Sequence, residues 1–546
     1  MTIPRDRRAM THLFALVFAL VLAIAIPAKV ASPSASPLLA VFLTVGVVAA
    51  LYKAVLVATL RLSSASTRPA GEGERQPLKR YLLFFVLLAA AYTTYLAAFF
   101  PAAMSYDSVD QWHQMVTFSF NDWHPPLYAV TMWLLTRLWF SPAAVAVFQI
   151  ALQALAVCFA LFTLGRLGAS KTLLWSLALF FALFPVYGIY SVILWKEVPY
   201  SVALLVLTVM LLRVLSSSGA ALDLRLFQVG LGVILALIVL LRHDGLLPYL
   251  GTVAALSVWV WKRPRRMLLV LSVSLGLIFV VRYPVYNALK VSRFQGSILA
   301  GKLHLFQIAA VVASGGSISP QERETIEETI SFEAIREHYT PYTSDPMLNA
   351  PGVSWEWLNV EGHRQELVRL WLELVRRHPA AIARHIQRNR SILWRVIQFP
   401  DGYLAPHWID INPNSDGLTM SPLHQGLHSL LNYKILFPLG FDRRYNWLFF
   451  RPALFLYLAA FAVSIVLFRT GSAKGLLLVV PLAMNTATFV LLCPVQDTRY
   501  FYAAFLIAPF LLAASLLLRR GEISAAGHGD STEPDVAGPR GRPGSQ

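Results

Sequence analysis

The sequence predicts an all-α polytopic membrane protein. Three observations predict it: an apolar, charge-poor composition, a series of helix-length apolar runs, and a one-sided distribution of basic residues. Of 546 residues, 57% are hydrophobic and only 14% charged. A water-soluble domain is about half apolar and about a quarter charged, so lipid replaces water over much of this surface. The aromatic load (33 Phe, 20 Tyr, 14 Trp) fits helices anchored at both membrane interfaces. A net charge of +17 suggests a nucleic-acid partner at first sight, but the excess lies in short loops between apolar runs. The one long hydrophilic segment, 290–447, is nearly balanced, which excludes a phosphate-backbone surface. Cys158 and Cys493 lie in or at the end of apolar runs and read as small buried hydrophobes.

A helix needs about 20 apolar residues to cross the hydrocarbon layer. Twelve runs meet this: 10–30, 37–60, 80–102, 143–165, 172–192, 197–215, 226–242, 245–262, 266–288, 448–468, 474–493 and 498–518. The first resembles a signal peptide but reads as an uncleaved helix, because its apolar core is long and further spans follow. A thirteenth stretch, 124–140, begins at Pro125–Pro126 and carries Arg137. If it stays on one side, the cytoplasmic loops collect Arg5–Arg8, Arg61–Arg80, Arg166, Lys171, Arg213, Arg225, Lys262–Arg266, Arg469, Lys474, Arg519 and Arg520. That is about twenty bases inside against about four outside (Arg137, Lys196, Arg242, Arg499). If it crosses, the Lys262–Arg266 cluster moves outside and the bias collapses, so 124–140 is expected as a juxtamembrane helix.

The organisation expected is therefore a membrane domain over 1–290 with nine spans and a first external loop at 103–142. An external, mainly helical domain follows at 291–447, then three spans over 448–519 and a disordered cytoplasmic tail at 520–546. Within the external domain, Arg377, Arg384, Arg388 and Arg395 fall on one side of a helical wheel. Ile382, Ile386 and Leu393 lie opposite, as in a helix resting on a membrane surface.

On this topology the polar residues at the outer helix ends form an unusual set. The first external loop contains Met104-Ser-Tyr-Asp-Ser-Val-Asp-Gln-Trp-His113 and Asn121-Asp-Trp-His-Pro-Pro-Leu-Tyr128. Trp195-Lys-Glu-Val-Pro199, Arg242-His-Asp-Gly245 and Pro494-Val-Gln-Asp-Thr-Arg-Tyr500 follow. Ionisable groups at membrane helix ends are costly unless paired or wetted, so their recurrence on one face suggests a site. A carboxylate there can take a proton from a hydroxyl, and Arg, Lys or His can hold a departing phosphate. Each residue also has a plain structural reading. Asp107 and Asp110, three apart, can simply solvate one helix face, and Asp122 can cap the turn before Pro125. His124 can bond the backbone, and Lys196 with Glu197 can be a local interfacial pair. His243 and Asp244 can belong to a helix-end charge cluster, and Arg499 can pair with Asp497.

An Asp-bearing first external loop followed by a His-Pro-Pro-Leu element that opens a juxtamembrane helix resembles the GT-C superfamily of membrane glycosyltransferases. Protein O-mannosyltransferases and lipid A aminoarabinose transferases are examples. The Asp497-Thr-Arg-Tyr500 stretch is similar to an Arg-Tyr element late in many bacterial members. The chain departs from the pattern in three ways. Asp107-Ser-Val-Asp110 replaces an adjacent acidic pair, His124 stands where Lys is more familiar, and two spans precede the one that normally comes first. The resemblance implies an uncharacterised bacterial branch in the plasma membrane, multi-pass, with both termini cytoplasmic. Its expected activity is inverting transfer of a sugar from a polyprenyl-phosphate carrier to an envelope glycan, lipid or protein. Asp107 would be the general base, with Asp110 as the alternative, and Arg499, His124 and Lys196 would hold the lipid phosphate. No ligand spacing compels a metal, and a divalent ion stays open. The rival reading is a transporter or flippase of an amphiphile, although neither a repeat nor mid-membrane charges are evident.

Overall fold

A computed structural model of the chain describes residues 78–518, apart from 294–295, 355–356 and 358–359, together with a few positions between 12 and 57. The first two expected spans and the 520–546 tail lie outside the described residues. The described chain is helical, and its only pairing of extended backbone is a set of isolated bridges.

Six helices are long and apolar enough to cross a membrane. They are α1 (Leu78–Ala98), α4 (Pro142–Arg166), α6 (Glu197–Ser216), α9 (Arg265–Ala288), α15 (Ala453–Thr470) and Thr498–Leu517. The last is a 3₁₀ turn (Thr498–Phe501) running into α17 (Tyr502–Leu517). Four other expected spans are shorter helices: α5 (Lys171–Leu183), α7 (Arg225–Leu241), α8 (Leu246–Trp259) and α16 (Val480–Leu491). The reasons are local. Pro185 ends α5 because proline disfavours helix in the residue before it, and Phe184 is extended. Pro481 sits at the start of α16, after a separate 3₁₀ turn over Ala473–Leu478.

Burial sorts the helices. Along α6 and Thr498–Leu517, 89% and 83% of the most apolar window is enclosed, against 11% for Arg265–Ala288, so the first two form the axis of the bundle. α6 packs on α4, α7 and α17, and α15 lies along α17. α9 lies outside, against α7. At that crossing a Cβ on Gly232 would come 2.8 Å from the Val270 carbonyl oxygen, so only glycine admits so close an approach.

The 124–140 stretch contains α3 (Leu127–Thr136), ten residues long. Such a helix covers about 15 Å, roughly half the hydrocarbon thickness. It lies against α2 (Tyr106–Thr117), the polar helix of the first loop.

The 291–447 segment, expected as one domain, divides in two. Helices α10 (Gly296–Ala313), α11 (Pro320–Glu327), α12 (Phe332–His338), α13 (Glu361–Arg377) and α14 (Pro379–Asn389) share an apolar core of their own, from Leu305 to Ile382. Ile392, Leu393, Leu404, Leu431 and Leu436 instead join the core of the long helices, which draws residues 391–447 onto the bundle. The expected continuous helix over Arg377–Arg395 is also broken. His378 leaves helical geometry and Pro379 starts α14, while Arg390 starts a separate turn, Ser391–Trp394. Its arginines are engaged within the protein: Arg377 on Glu322, Arg388 on Asp401 at 2.7 Å, Arg395 on the Ile397 carbonyl. Arg384 stays exposed and donates to the Ala380 carbonyl of its own helix.

Candidate functional site

Three segments far apart in sequence are stitched together at one end of the bundle. Irregular backbone at membrane depth needs partners for its N–H and C=O groups. The unwound residues between Tyr190 and Lys196 find them in the first loop: the Ala103 amide donates to Val192, and the Leu194 amide to Ala103. Gln149 of α4 donates to the Ile193 carbonyl at 2.9 Å. The extended stretch after α14 then clamps two further loops. Met104 donates to Asp410 and Asn412 donates back to Met104, while Ala405 donates to Gln496 and Thr498 to Ala405. The loops bearing Asp107, Lys196 and Arg499 are thereby held side by side.

Their side chains interlock. Arg499 Nη1 donates to Asp107 Oδ2 at 2.8 Å, and Arg499 Nε lies 2.8 Å from Asp497 Oδ2. The guanidinium also sits 5.1 Å from the ring centres of Trp195 and Tyr500, a cation–π arrangement. His124 Nε2 is 3.5 Å from the other Asp107 oxygen. Deeper in, Lys196 Nζ is 3.3 Å from Glu197 Oε1, and Arg242 Nη1 donates to the same oxygen at 2.5 Å. Asp244 grips Arg242 with both carboxylate oxygens at 2.7 Å. That bidentate contact requires the chain to reverse at Gly245, where a Cβ would lie 2.0 Å from the Ile238 carbonyl oxygen. Lys196, Glu197 and Arg242 are buried, whereas Asp107 keeps about 30% of its side chain exposed and Arg499 13%.

Protonation follows from these contacts. Burial raises the Asp107 carboxyl, but Arg499, His124 and Lys196 outweigh it and hold the group well below the usual carboxylate range. Burial and the Lys196 charge push His124 down, so its imidazole is neutral at pH 7. Burial pushes Asp497 up to about 6 against the pull of Arg499. These contacts make Asp107 an anchor for Arg499, and the same cations lower the basicity that the role expected from the sequence would use.

Of the residues singled out in the sequence, Asp107, His124, Lys196, Glu197, Asp244 and Arg499 converge here. Asp122 and His243 form a separate outer pair, 3.5 Å between side chains, with His243 Nε2 also 3.1 Å from the Asp122 carbonyl. Asp110 does not join. It is exposed and accepts from Gln114 within its own helix at 2.7 Å, which is the plain solvating reading. Arg242 and Asp497 stood inside the quoted motifs but only their contacts reveal them as struts. Lys302 and Asp345, from the separate helical unit, had no sequence signal. Lys302 Nζ lies 4.3 Å from the Trp123 ring centre, and both residues are close enough for their charges to act on each other. No group of three or more potential metal ligands occurs among the described residues.

Residues 127–385, just under half of the chain, match a family described as a family of unknown function (DUF6020). The matched region holds Lys196, Glu197, Arg242, Asp244 and Asp345 but stops short of Asp107, His124 and Arg499 on either side. Neither a curated protein nor a solved structure matches the chain.

Proposed function

We propose that the chain is a membrane glycosyltransferase that moves a sugar from a polyprenyl-phosphate carrier to an envelope glycan, lipid or protein. In this reading it sits in a bacterial plasma membrane with about twelve spans, both termini cytoplasmic and the charged site on the outer face. The reading rests on the GT-C resemblance, and one observation supports it most: Lys196, Arg242 and Arg499 meet at the end of a lipid-embedded helix bundle, among Asp107, His124, Glu197, Asp244 and Asp497. A lipid-linked phosphate would present its charge at that depth, where an ammonium or guanidinium is worth far more than in bulk water.

The three cations differ in readiness. Arg242 is locked by two carboxylates and serves as a strut. Lys196 carries three donors and has one carboxylate partner at 3.3 Å, which leaves donors for a phosphate. Arg499 is held by Asp107, the most exposed of its partners, so an incoming phosphate can share its second donor edge. Displacement at the anomeric carbon then needs only a positioned acceptor hydroxyl and a proton acceptor, with inversion.

The test is a strain lacking the chain, whose envelope glycans and lipids are compared with the parent. Loss of one sugar modification, restored by wild type and not by Lys196→Ala, supports the reading. With the purified full chain in nanodiscs, transfer releases polyprenyl phosphate from a polyprenyl-phosphate sugar when acceptor is added. An envelope unchanged in every sugar would end the proposal, and movement of the lipid without release of polyprenyl phosphate would point to a flippase.

A further inference from the structure

The separate helical unit delivers one carboxylate to the charged site that no motif announced. Thr343 pairs with Val495, the Gln496 amide donates to Tyr342, and the Ser344 amide donates to the Pro494 carbonyl at 3.0 Å. This short antiparallel pairing sets the following residue, Asp345, beside the Asp497–Arg499 turn. Four carboxylates feel the Arg499 charge: Asp107, Glu197, Asp497 and Asp345. The first three each hold a cation within 4 Å. Asp345 has no such ion pair among the described residues; it is exposed, and its backbone amide donates to the Thr343 hydroxyl at 3.2 Å.

We propose that Asp345 is the proton acceptor of the transfer reaction, with Asp107 positioning Arg499 rather than acting as the base. The inference rests on the sugar-transfer reading. The acceptor hydroxyl oxygen forms a bond to the anomeric carbon while the bond from that carbon to the phosphate oxygen breaks. The electron pair leaves with polyprenyl phosphate, and the hydroxyl proton passes to an Asp345 carboxylate oxygen and from there to water. An exposed carboxylate with no ion-pair partner within 4 Å among the described residues suits this role, because a substrate hydroxyl can reach it and no cation in contact pins its charge. The groups acting on it are Arg499 and Lys302, which lower its proton affinity, Asp107, which raises it, and the Thr343 hydroxyl; Tyr403 also faces it. Although the residue is exposed, partial desolvation of its carboxyl by the surrounding protein outweighs the cations and raises its proton affinity, the opposite direction to Asp107.

The experiment uses the full chain in nanodiscs, with polyprenyl phosphate as the binding probe and the modification found in the envelope comparison as the transfer readout. Asp345→Asn should lower kcat by roughly 100-fold or more while polyprenyl phosphate binding stays within about twofold. Asp345→Glu, which keeps a carboxyl, should recover part of the rate and shift the acid limb of the pH profile. Asp107→Asn should weaken polyprenyl phosphate binding and leave that limb in place. An Asp345→Asn chain with wild-type kcat, or one that loses rate and phosphate binding in parallel, overturns the inference with sugar transfer intact. A wild type that neither binds polyprenyl phosphate nor alters any envelope sugar overturns the proposed function instead, and this inference with it.

Discussion

The two ends of the helix bundle are both rich in charge and treat it in opposite ways. At one end Lys196, Glu197, Arg242, Asp244, Asp107, Asp497 and Arg499 interlock in ion pairs of 2.5–3.5 Å, most of them buried. At the other, Arg166, Lys171, Arg213, Arg225, Lys262, Arg263 and Arg265 are exposed. One ion pair there joins Arg266 to Asp223, whose side chain is more than half exposed. Exposed bases at helix ends answer largely to water and lipid headgroups. Buried opposite charges answer to each other, and removing one leaves its partner desolvated. The first pattern orients a chain in a membrane; the second builds a site.

Substitutions separate the two ends. Arg499→Ala should have the largest effect, leaving Asp107 and Asp497 without their shared cation. Loss of about 100- to 1000-fold in the proposed envelope modification is expected, at normal expression, from the removal of one charge-stabilising donor. Retained modification would show that the pairing is structural only. Arg242→Ala should act mainly on stability, because Glu197 and Asp244 lose their common partner. A cost of about 3–5 kcal/mol is expected, read as a lowered melting temperature in detergent or failure to accumulate. An Arg242→Ala chain as stable as wild type would contradict its place as a strut.

A pH test distinguishes carboxylates within the same cluster. The folded-state value of Asp497 is raised to about 6, so its contribution to stability is present at pH below the ordinary carboxylate value and lost as pH rises through about 6. Asp107 has the opposite sign: its contribution is present above the ordinary value and lost as pH falls below it. Melting temperatures of Asp497→Asn should therefore fall less than those of wild type between about pH 4 and 6. An unchanged slope would remove Asp497 as the titrating group. The smallest effect belongs to the opposite end. Arg266→Ala should cost about 1 kcal/mol, the ordinary worth of a pair whose carboxylate faces solvent, with the proposed modification unaltered. A large loss there would erase the contrast between the two ends.

Much of this is legible in the amino-acid sequence. Composition and apolar runs dictate lipid-embedded helices, because an uninterrupted apolar stretch of that length has no other place to satisfy its backbone. The gathering of Asp107, His124, Lys196, Asp244 and Arg499 at one end follows from helices that cross and return. Where helices stop was less legible. Phe184 before Pro185, and His378 before Pro379, end helices that a wheel or a hydropathy window runs straight through.

Only the tertiary structure decided who pairs with whom. Asp107 and Arg499 are 392 residues apart, and their 2.8 Å contact depends on the Met104–Asp410 and Ala405–Gln496 hydrogen bonds, which no local pattern encodes. Asp110 looked equivalent to Asp107 in sequence, yet its side chain settled on Gln114, one helical turn along. Asp345 carried no motif and reached the charged end through a three-residue backbone pairing. The sequence by itself determined the solvent of this protein and the end at which its charge collects, because both are sums over many residues. Which carboxylate is locked and which is left open depends on single contacts between distant segments, and those exist only once the chain has folded.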